Sequence, residues 1–141
     1  MLLRNRRSIL VLLAGLLPWG VARAQTAPAS GQARFVEQAF AIQRIAIERG
    51  DQSYGAIVVR GEEIVGLGPS GVIVRKDATA HAEREAIRDA QRKLGQADLS
   101  GCMMYSTSRP CSDCERAAAQ ANIARMYFGA NATDAGAPRK S

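Results

Sequence analysis

Four side chains in this sequence have the types and spacing of a metal-assisted hydrolytic site. His81, the only histidine, stands two residues before Glu83, and Cys111 and Cys114 follow in the segment Pro110-Cys111-Ser112-Asp113-Cys114. Two thiolates and one imidazole suit Zn²⁺, and three protein ligands leave the fourth tetrahedral position open for water, as in catalytic zinc sites. Glu83 is not required to hold the metal. A carboxylate beside such a site can take a proton as a general base and return it as a general acid, and Glu83 is the predicted residue for both steps.

The spacing of these residues predicts that each half of the site begins a helix. The two cysteines are one helical turn apart, so both sulfurs can reach one point if the pair begins a helix, and Pro110 suits that start. His81 and Glu83 are two residues apart and would face opposite sides inside a helix. They converge only at a helix start, for which Asp77 and Thr79 are the candidate capping residues.

Residue periodicity predicts seven elements around these motifs, in the order αββαβαβ. The helices are expected at 32–48, 81–94 and 111–122, and the strands at 54–59, 64–67, 102–107 and 125–128. The first two strands form a hairpin, whereas strands joined through helices of this length run parallel. The sequence therefore predicts an α/β fold, a three-layer α/β/α sandwich with a mixed central sheet.

The N-terminal residues have the pattern of an export signal. Arginines at 4, 6 and 7 precede an apolar run at 9–17, and Ala22-Arg23-Ala24 offers a cleavage site, so 1–24 is the predicted signal peptide. We expect a flexible lead-in at 25–31, one domain at 32–130 and a polar C-terminal tail at 131–141. The apolar run is too short for a stable membrane anchor. An exported, periplasmic bacterial protein is expected, and the Arg6-Arg7 pair leaves ordinary and twin-arginine export both open.

The charge balance after cleavage gives little support for a nucleic-acid partner. The whole chain has 19 Lys and Arg against 13 Asp and Glu. Four of the arginines lie in the predicted signal, so the remaining domain is nearly balanced. Nucleic-acid binding usually requires a strongly basic patch or stripe, and nucleic acid is therefore not expected as a partner.

The two motifs together resemble a known superfamily. His81-Ala82-Glu83 followed by Pro110-Cys111-Ser112-Asp113-Cys114 is similar to the signature of the cytidine deaminase-like zinc deaminases, and the similarity extends over 35–130. The segments 77–83 and 99–111 look most like the branch of guanine, cytosine and tRNA-adenosine deaminases. The resemblance implies a zinc-dependent aminohydrolase with His81, Cys111 and Cys114 as ligands and Glu83 as the catalytic proton carrier. It also implies a small base or nucleoside as substrate and a homo-oligomer.

Two positions depart from the pattern of that branch. The resemblance implies substrate contacts at Ser70 and Ala82, but Ser70 stands where the branch usually carries an asparagine, and a hydroxyl cannot reproduce amide recognition. Arg109 stands where glutamate is frequent, which places a cation at the rim and makes an anionic substrate group conceivable. The sequence therefore leaves three kinds of substrate ring open: guanine, adenine (or adenosine), and cytosine.

Two other functions fit part of the pattern. A noncatalytic zinc-binding domain of the same fold would need the three ligands but not Glu83. A thiol redox protein could use Cys111 and Cys114 as a pair, which would leave His81 and Glu83 without a purpose. Of the remaining chemical groups, Cys102 is expected in the core, and Glu85 is expected to be solvated.

Overall fold

The computed structural model describes residues 31–140, which form three helices and one five-stranded sheet. The elements are α1 (Gly31–Glu48), β1 (Gly55–Arg60), β2 (Glu63–Pro69), α2 (Ala82–Leu94), β3 (Met103–Ser106), α3 (Ser112–Gln120), β4 (Arg125–Phe128) and β5 (Thr133–Gly136). The predicted export signal lies outside the described residues. Within the described part, no helix combines the length and hydropathy needed to cross a membrane.

The sheet is mixed and its order is β2-β1-β3-β4-β5. Strand β1 is antiparallel to both β2 and β3, β3 is parallel to β4, and β5 returns antiparallel to β4. Because β2 and β3 are both antiparallel to β1, they run in the same direction. Their carboxyl ends therefore lie at the same edge of the sheet, and the segments that lead into α2 and α3 leave from that edge.

The helices cover the two faces of the sheet, which confirms the predicted three-layer arrangement. One hydrophobic cluster joins α1 to the sheet through Phe35, Ile42 and Tyr105. The other lies under α2 and α3 and includes Ile87 and Met104. Each helix contributes at least two alanines to its buried face: Ala39 and Ala46 in α1, Ala82, Ala86 and Ala90 in α2, and Ala118 and Ala119 in α3.

Glycines allow a close approach between α2 and the edge strand β2. A Cβ atom on Gly68 would lie 2.0 Å from the Ala82 carbonyl oxygen, and one on Gly66 would lie 2.3 Å from the Ala86 carbonyl oxygen. Real Cβ atoms do not approach backbone so closely, so these two positions require glycine. Strand β2 thereby fixes the start of α2, which follows directly after His81.

Strand β5 was not predicted, because it lies in the segment expected to be a polar tail. The sequence Thr133-Asp134-Ala135-Gly136 has no alternating apolar pattern, and its side chains are mostly exposed. Its position is instead stabilised by a bidentate ion pair, in which Arg125 of β4 donates to both oxygens of Asp134. Such a pairing depends on tertiary contact and has no local sequence signal.

Candidate metal centre

Three potential metal ligands converge where α2 and α3 begin. The Nδ1 atom of His81 lies 3.4 Å from the Cys114 sulfur and 3.6 Å from the Cys111 sulfur. All three donor atoms lie within 4.8 Å of one another. The structure therefore brings together the three predicted ligands, although His81 and Cys111 are 30 residues apart in the sequence.

Both helices begin at a ligand residue, as the spacing predicted. His81 has extended backbone angles of φ −62° and ψ 150° immediately before α2, and Cys111 has φ −73° and ψ 167° immediately before α3. The Cys111 sulfur accepts a hydrogen bond from the Cys114 N–H at 3.4 Å. The extended residue at each helix start directs its side chain toward the same point.

The predicted capping residues do not cap α2. The Asp77 carboxylate instead accepts hydrogen bonds from the backbone N–H and the hydroxyl of Thr79, which closes a turn upstream of the helix. His81 occupies the N-cap position without making a side-chain capping bond. Its imidazole is therefore available for a metal.

The donor set and its geometry fit Zn²⁺. Zinc bonds of about 2.3 Å to sulfur and about 2.0–2.1 Å to nitrogen at a tetrahedral angle place the two donor atoms about 3.6 Å apart. The separations of 3.4 and 3.6 Å between the His81 nitrogen and the two sulfurs match this value. Three protein donors leave one position for water, which is the arrangement of catalytic rather than structural zinc.

Glu83 lies buried beside this cluster. It is 6% exposed and contacts Cys114, on which it exerts an electrostatic effect. Burial raises the pKa of the Glu83 carboxyl, although its own backbone N–H, Cys114 and His81 oppose that shift. Burial and the Glu83 charge both raise the pKa of the Cys114 thiol. A divalent cation at this position would offset the cost of burying negative charge on Glu83 and Cys114.

A pocket of about 190 Å³ opens in front of the cluster. It is lined by the predicted residues His81, Ala82, Glu83, Arg109 and Cys111, and by Gln52, Tyr54 and Ser108. The last three were not found by sequence reasoning. Gln52 and Tyr54 belong to the loop between α1 and β1, and only the folded arrangement of the sheet brings this loop to the start of α2. No local pattern in that loop predicts its role.

Ser70 does not line this pocket. Its side chain is 3% exposed and its hydroxyl donates a hydrogen bond of 2.8 Å to the Asp51 carboxylate. The sequence-based assignment of Ser70 as a substrate contact stays a prediction, and in the structure the Ser70 hydroxyl contacts Asp51 rather than the pocket. A serine side chain is shorter than an asparagine and is held here by the neighbouring carboxylate.

Ser70 instead lines a larger cavity of about 380 Å³ between α1, β2 and α2. Its charged groups are largely paired, as in the contacts of Arg92 and Lys93 with Asp89. It contains neither the metal-binding cluster nor Glu83. We therefore place the candidate chemistry in the smaller pocket.

Two further residues can be compared with the sequence predictions. Cys102 is 1% exposed and packs in the core, as predicted. Glu85 is not solvated, because its side chain is only 12% exposed and pairs with Arg75 and Arg88. This ion-pair cluster does not line the pocket at the metal donors, and its Arg75 contact connects the first turn of α2 to the preceding loop.

The sequence matches a described protein family over most of its length. Residues 29–130 match the family described as the cytidine and deoxycytidylate deaminase zinc-binding region. The matched range includes α1, all of the elements through β4, and every residue of the pocket. The fold and the ligand cluster therefore lie inside the region of similarity.

Curated proteins and solved structures show the same similarity. The tRNA-specific adenosine deaminase of Aquifex aeolicus is 37% identical over 100 residues, which is 71% of this chain and 66% of that protein. The guanine deaminase of Bacillus subtilis is 37% identical over 82 residues, covering 58% and 53% of the two chains. Its X-ray structure aligns with a TM-score of 0.66 at 31% identity, over 69% of this chain and 62% of that chain. This chain thus spans two thirds or less of the length of these relatives.

Proposed function

The chain belongs to the cytidine and deoxycytidylate deaminase zinc-binding family, and we propose that it is a zinc-dependent hydrolase that removes the exocyclic amine of a nucleobase or nucleoside. The observation that carries the proposal is the convergence of three metal donors within 4.8 Å beside a buried glutamate. A noncatalytic zinc domain would need the donors alone. The burial of Glu83 against them favours catalysis.

His81, Cys111 and Cys114 hold the metal in this proposal. When bound, zinc supplies Lewis acidity that lowers the pKa of water at its open position to about 7. The chain orients the ligands, because the backbone is extended at the ligand residue that precedes each helix. The N-terminal ends of α2 and α3 also favour negative charge on the thiolates. The pocket in front of the ligands then receives the ring.

Glu83 moves the protons. Its carboxylate takes one proton from water and gives it to the ring nitrogen next to the reacting carbon. It then takes the remaining proton of the hydroxyl added to that carbon and gives it to the amine, which leaves as ammonia. One carbon–oxygen bond forms and one carbon–nitrogen bond breaks, so water and the aminated ring give a ring carbonyl and ammonia. A buried carboxyl with a raised pKa suits a group that must both accept and return a proton near neutral pH.

The substrate is proposed to be a small ring, with guanine, adenine or adenosine, and cytosine as the candidates. The pocket of about 190 Å³ is smaller than the range of about 300–1,000 Å³ typical of drug-sized ligands. The relatives act, by their names, on transfer RNA adenosine and on guanine. The similarity to tRNA-specific enzymes weakens the sequence-based expectation that nucleic acid is not a partner, so an oligonucleotide belongs among the substrates tested.

We also propose that the protein is exported to the periplasm and assembles as a homo-oligomer. The first point rests on the pattern of 1–24, and the second on the family resemblance. Fractionation of cells that express the full chain and sedimentation of the purified domain would test them.

Ammonia release by zinc-loaded protein is the direct test. The purified domain would be incubated with guanine, adenine, cytosine and their nucleosides, with Glu83→Gln as the inactive variant. Glu85→Gln is the matched control, because it removes a carboxylate from the same helix outside the pocket. We expect Glu83→Gln to retain one zinc per chain and lose turnover, while Glu85→Gln keeps turnover near that of the parent.

One result would contradict the role of Glu83, and another would contradict the function itself. Ammonia release that survives Glu83→Gln would place the proton carrier elsewhere. One bound zinc with no release from any of these rings would favour the noncatalytic zinc-binding domain.

A further inference from the structure

The larger cavity at the edge of the sheet is separate from the pocket at the metal donors, because the two share no lining residue. This β2 cavity is bounded by Ile45 of α1, Leu67 of β2, Val74 of the following loop and Asp89 of α2. Its volume of about 380 Å³ falls within the range of about 300–1,000 Å³ that is typical of sites for small organic molecules. The β2 cavity is therefore large enough to hold such a molecule.

One part of the wall of the β2 cavity is apolar. Ile42 and Ile45 line it from α1, and Leu67 lines it from β2. Leu67 is 38% exposed and Val74 is 56% exposed, so two large apolar side chains of this wall are in contact with water. Removal of such surface from water is favourable. The apolar wall therefore favours a ligand with an apolar body.

The positive charges of the β2 cavity outnumber the negative ones. Its carboxylates are Glu85 and Asp89, and its cations are Arg49, Arg75, Arg92 and Lys93. The two carboxylate side chains are only 11–12% exposed and pair with three of the cations, whose side chains are at least 50% exposed. A ligand that enters from solvent therefore meets cations before it meets carboxylates.

Arg49 is the cation of this cavity that has no carboxylate partner. It follows α1 directly, is exposed, and forms no ion pair at 4 Å or less within residues 31–140. The other three cations already pair with Glu85 or Asp89. A guanidinium binds a carboxylate or a phosphate through two parallel charge-assisted hydrogen bonds. Arg49 is therefore the side chain available to bind an anionic group.

The edge of β2 does not favour an added peptide strand as the occupant. Strand β2 is the last strand on its side of the sheet, where an extended peptide can in principle add. The Leu67 N–H, however, donates a hydrogen bond of 2.8 Å to the Asp89 carboxylate. Asp89 is in turn held by Arg92 and Lys93. An incoming strand would have to displace this carboxylate, which favours a small molecule instead.

We propose that the β2 cavity is a second ligand site, which binds a small organic anion. The apolar body of this ligand packs on Leu67 and Val74, and its anionic group binds Arg49. A carboxylate and a phosphate monoester share this chemistry. Because no residue of the metal centre takes part, the site does not depend on the proposed deaminase function.

Four probes separate the contribution of the charge from that of the apolar body. Binding of 2-naphthoate, 2-naphthyl phosphate, the neutral 2-naphthamide and acetate to the zinc-loaded protein would be measured by calorimetry. We expect at least one of the two naphthyl anions to bind roughly tenfold more tightly than 2-naphthamide, as for gain of a charge-assisted hydrogen bond. Acetate, which lacks the apolar body, should bind more weakly than either. The tighter of the two naphthyl anions identifies the anionic group.

Two variants test the two parts of the site. Arg49→Gln should weaken binding of the naphthyl anion by roughly tenfold and leave binding of 2-naphthamide unchanged. Leu67→Ala should weaken binding of both by roughly fivefold, through loss of apolar contact. Arg44→Gln is the matched control, because Arg44 is an exposed arginine of the same helix that does not line the β2 cavity, and it should bind as the parent does.

Amide NMR shifts of isotope-labelled protein would locate the bound anion. We expect shifts centred on Leu67, Ser70 and Val74. Shifts centred on Ala82 and Ser108 would place the anion in the metal pocket and overturn the second site, as would equal affinity of the parent and Arg49→Gln. Affinity that falls as the protein concentration rises would also overturn it, because a second copy of the chain would then cover the β2 cavity. Ammonia release is not measured in these experiments, so the two proposals can fail separately.

Discussion

The Ser70 hydroxyl donates a hydrogen bond of 2.8 Å to the Asp51 carboxylate, and this contact joins the two loops that flank the start of α2. The same carboxylate accepts hydrogen bonds from the backbone N–H groups of Gln52, Ile73 and Val74. On one side of this junction, Asp51 is followed by the pocket residue Gln52. On the other side, Ile73 and Val74 belong to the segment that leads to the metal ligand His81. Asp51 therefore connects the pocket wall to the segment that leads into the metal centre.

Replacing Asp51 with asparagine should destabilise this junction. One amide oxygen cannot accept all of the hydrogen bonds that two carboxylate oxygens accept, and the amide N–H₂ would face donors. We expect Asp51→Asn to lower the free energy of unfolding by about 1–3 kcal/mol. Urea unfolding at neutral pH would measure the loss. Glu48→Gln removes an exposed carboxylate from the end of α1 and is the control.

The same carboxylate should contribute to the acid limit of stability. Burial opposes ionisation of Asp51, but the hydrogen bonds from Val74, Ser70, Gln52 and Ile73 outweigh it and lower its pKa below the ordinary value of 3.8. A depressed folded-state pKa gives stability that is present above the unfolded pKa and is lost as the pH falls through the folded pKa. The difference in unfolding free energy between parent and Asp51→Asn should therefore shrink below about pH 4. A constant difference from pH 7 to pH 3 would contradict this linkage.

Substrate recognition through an amide should depend on Gln52 rather than on Ser70. Gln52 lines the pocket, whereas the Ser70 hydroxyl faces Asp51. Gln52→Ala should raise KM for the best ring substrate by roughly tenfold, as expected for loss of about one hydrogen bond. Ser70→Ala should leave KM nearly unchanged and lower thermal stability instead. A reversal of these two effects would return Ser70 to the role suggested by the family resemblance.

The metal centre and the layer order could be predicted because their signals are local. A few neighbouring residues encode each of these signals: the helix starts, the turn between Cys111 and Cys114, and the two-residue step from His81 to Glu83. The pocket wall was missed because Gln52 approaches α2 only after β1 has paired between β2 and β3. Strand β5 was missed for a similar reason, since its stabilising ion pair to β4 involves residues nine positions apart.

Removing zinc should destabilise the domain, and Cys114 and Cys102 provide a matched pair for testing it. Both thiols are buried, but Cys114 lies 3.4 Å from the His81 nitrogen, whereas Cys102 packs in the core under α2 and α3. Cys114→Ser should abolish stoichiometric zinc and remove the response of the melting temperature to a chelator. Cys102→Ala should retain one zinc and keep that response, because a metal that binds only the folded state raises its stability. Metal analysis of both variants after gel filtration would decide the assignment, and zinc retained by Cys114→Ser would refute it.

Gly68 should be essential for both stability and the metal centre, because β2 and the start of α2 meet there backbone to backbone. A Cβ atom at this position would lie 2.0 Å from the Ala82 carbonyl oxygen and 2.4 Å from the Ala86 nitrogen, and neither atom can rotate away. Gly68→Ala must therefore push α2 outward at the residue that lies between His81 and Glu83. We expect a loss of about 3 kcal/mol or more, at the upper end of overpacking, together with weaker zinc binding. Gly31→Ala, which meets nothing within 4 Å, should be neutral in both measurements. A Gly68→Ala domain that unfolds at the parent's urea concentration would show that α2 is not held against β2 in this way.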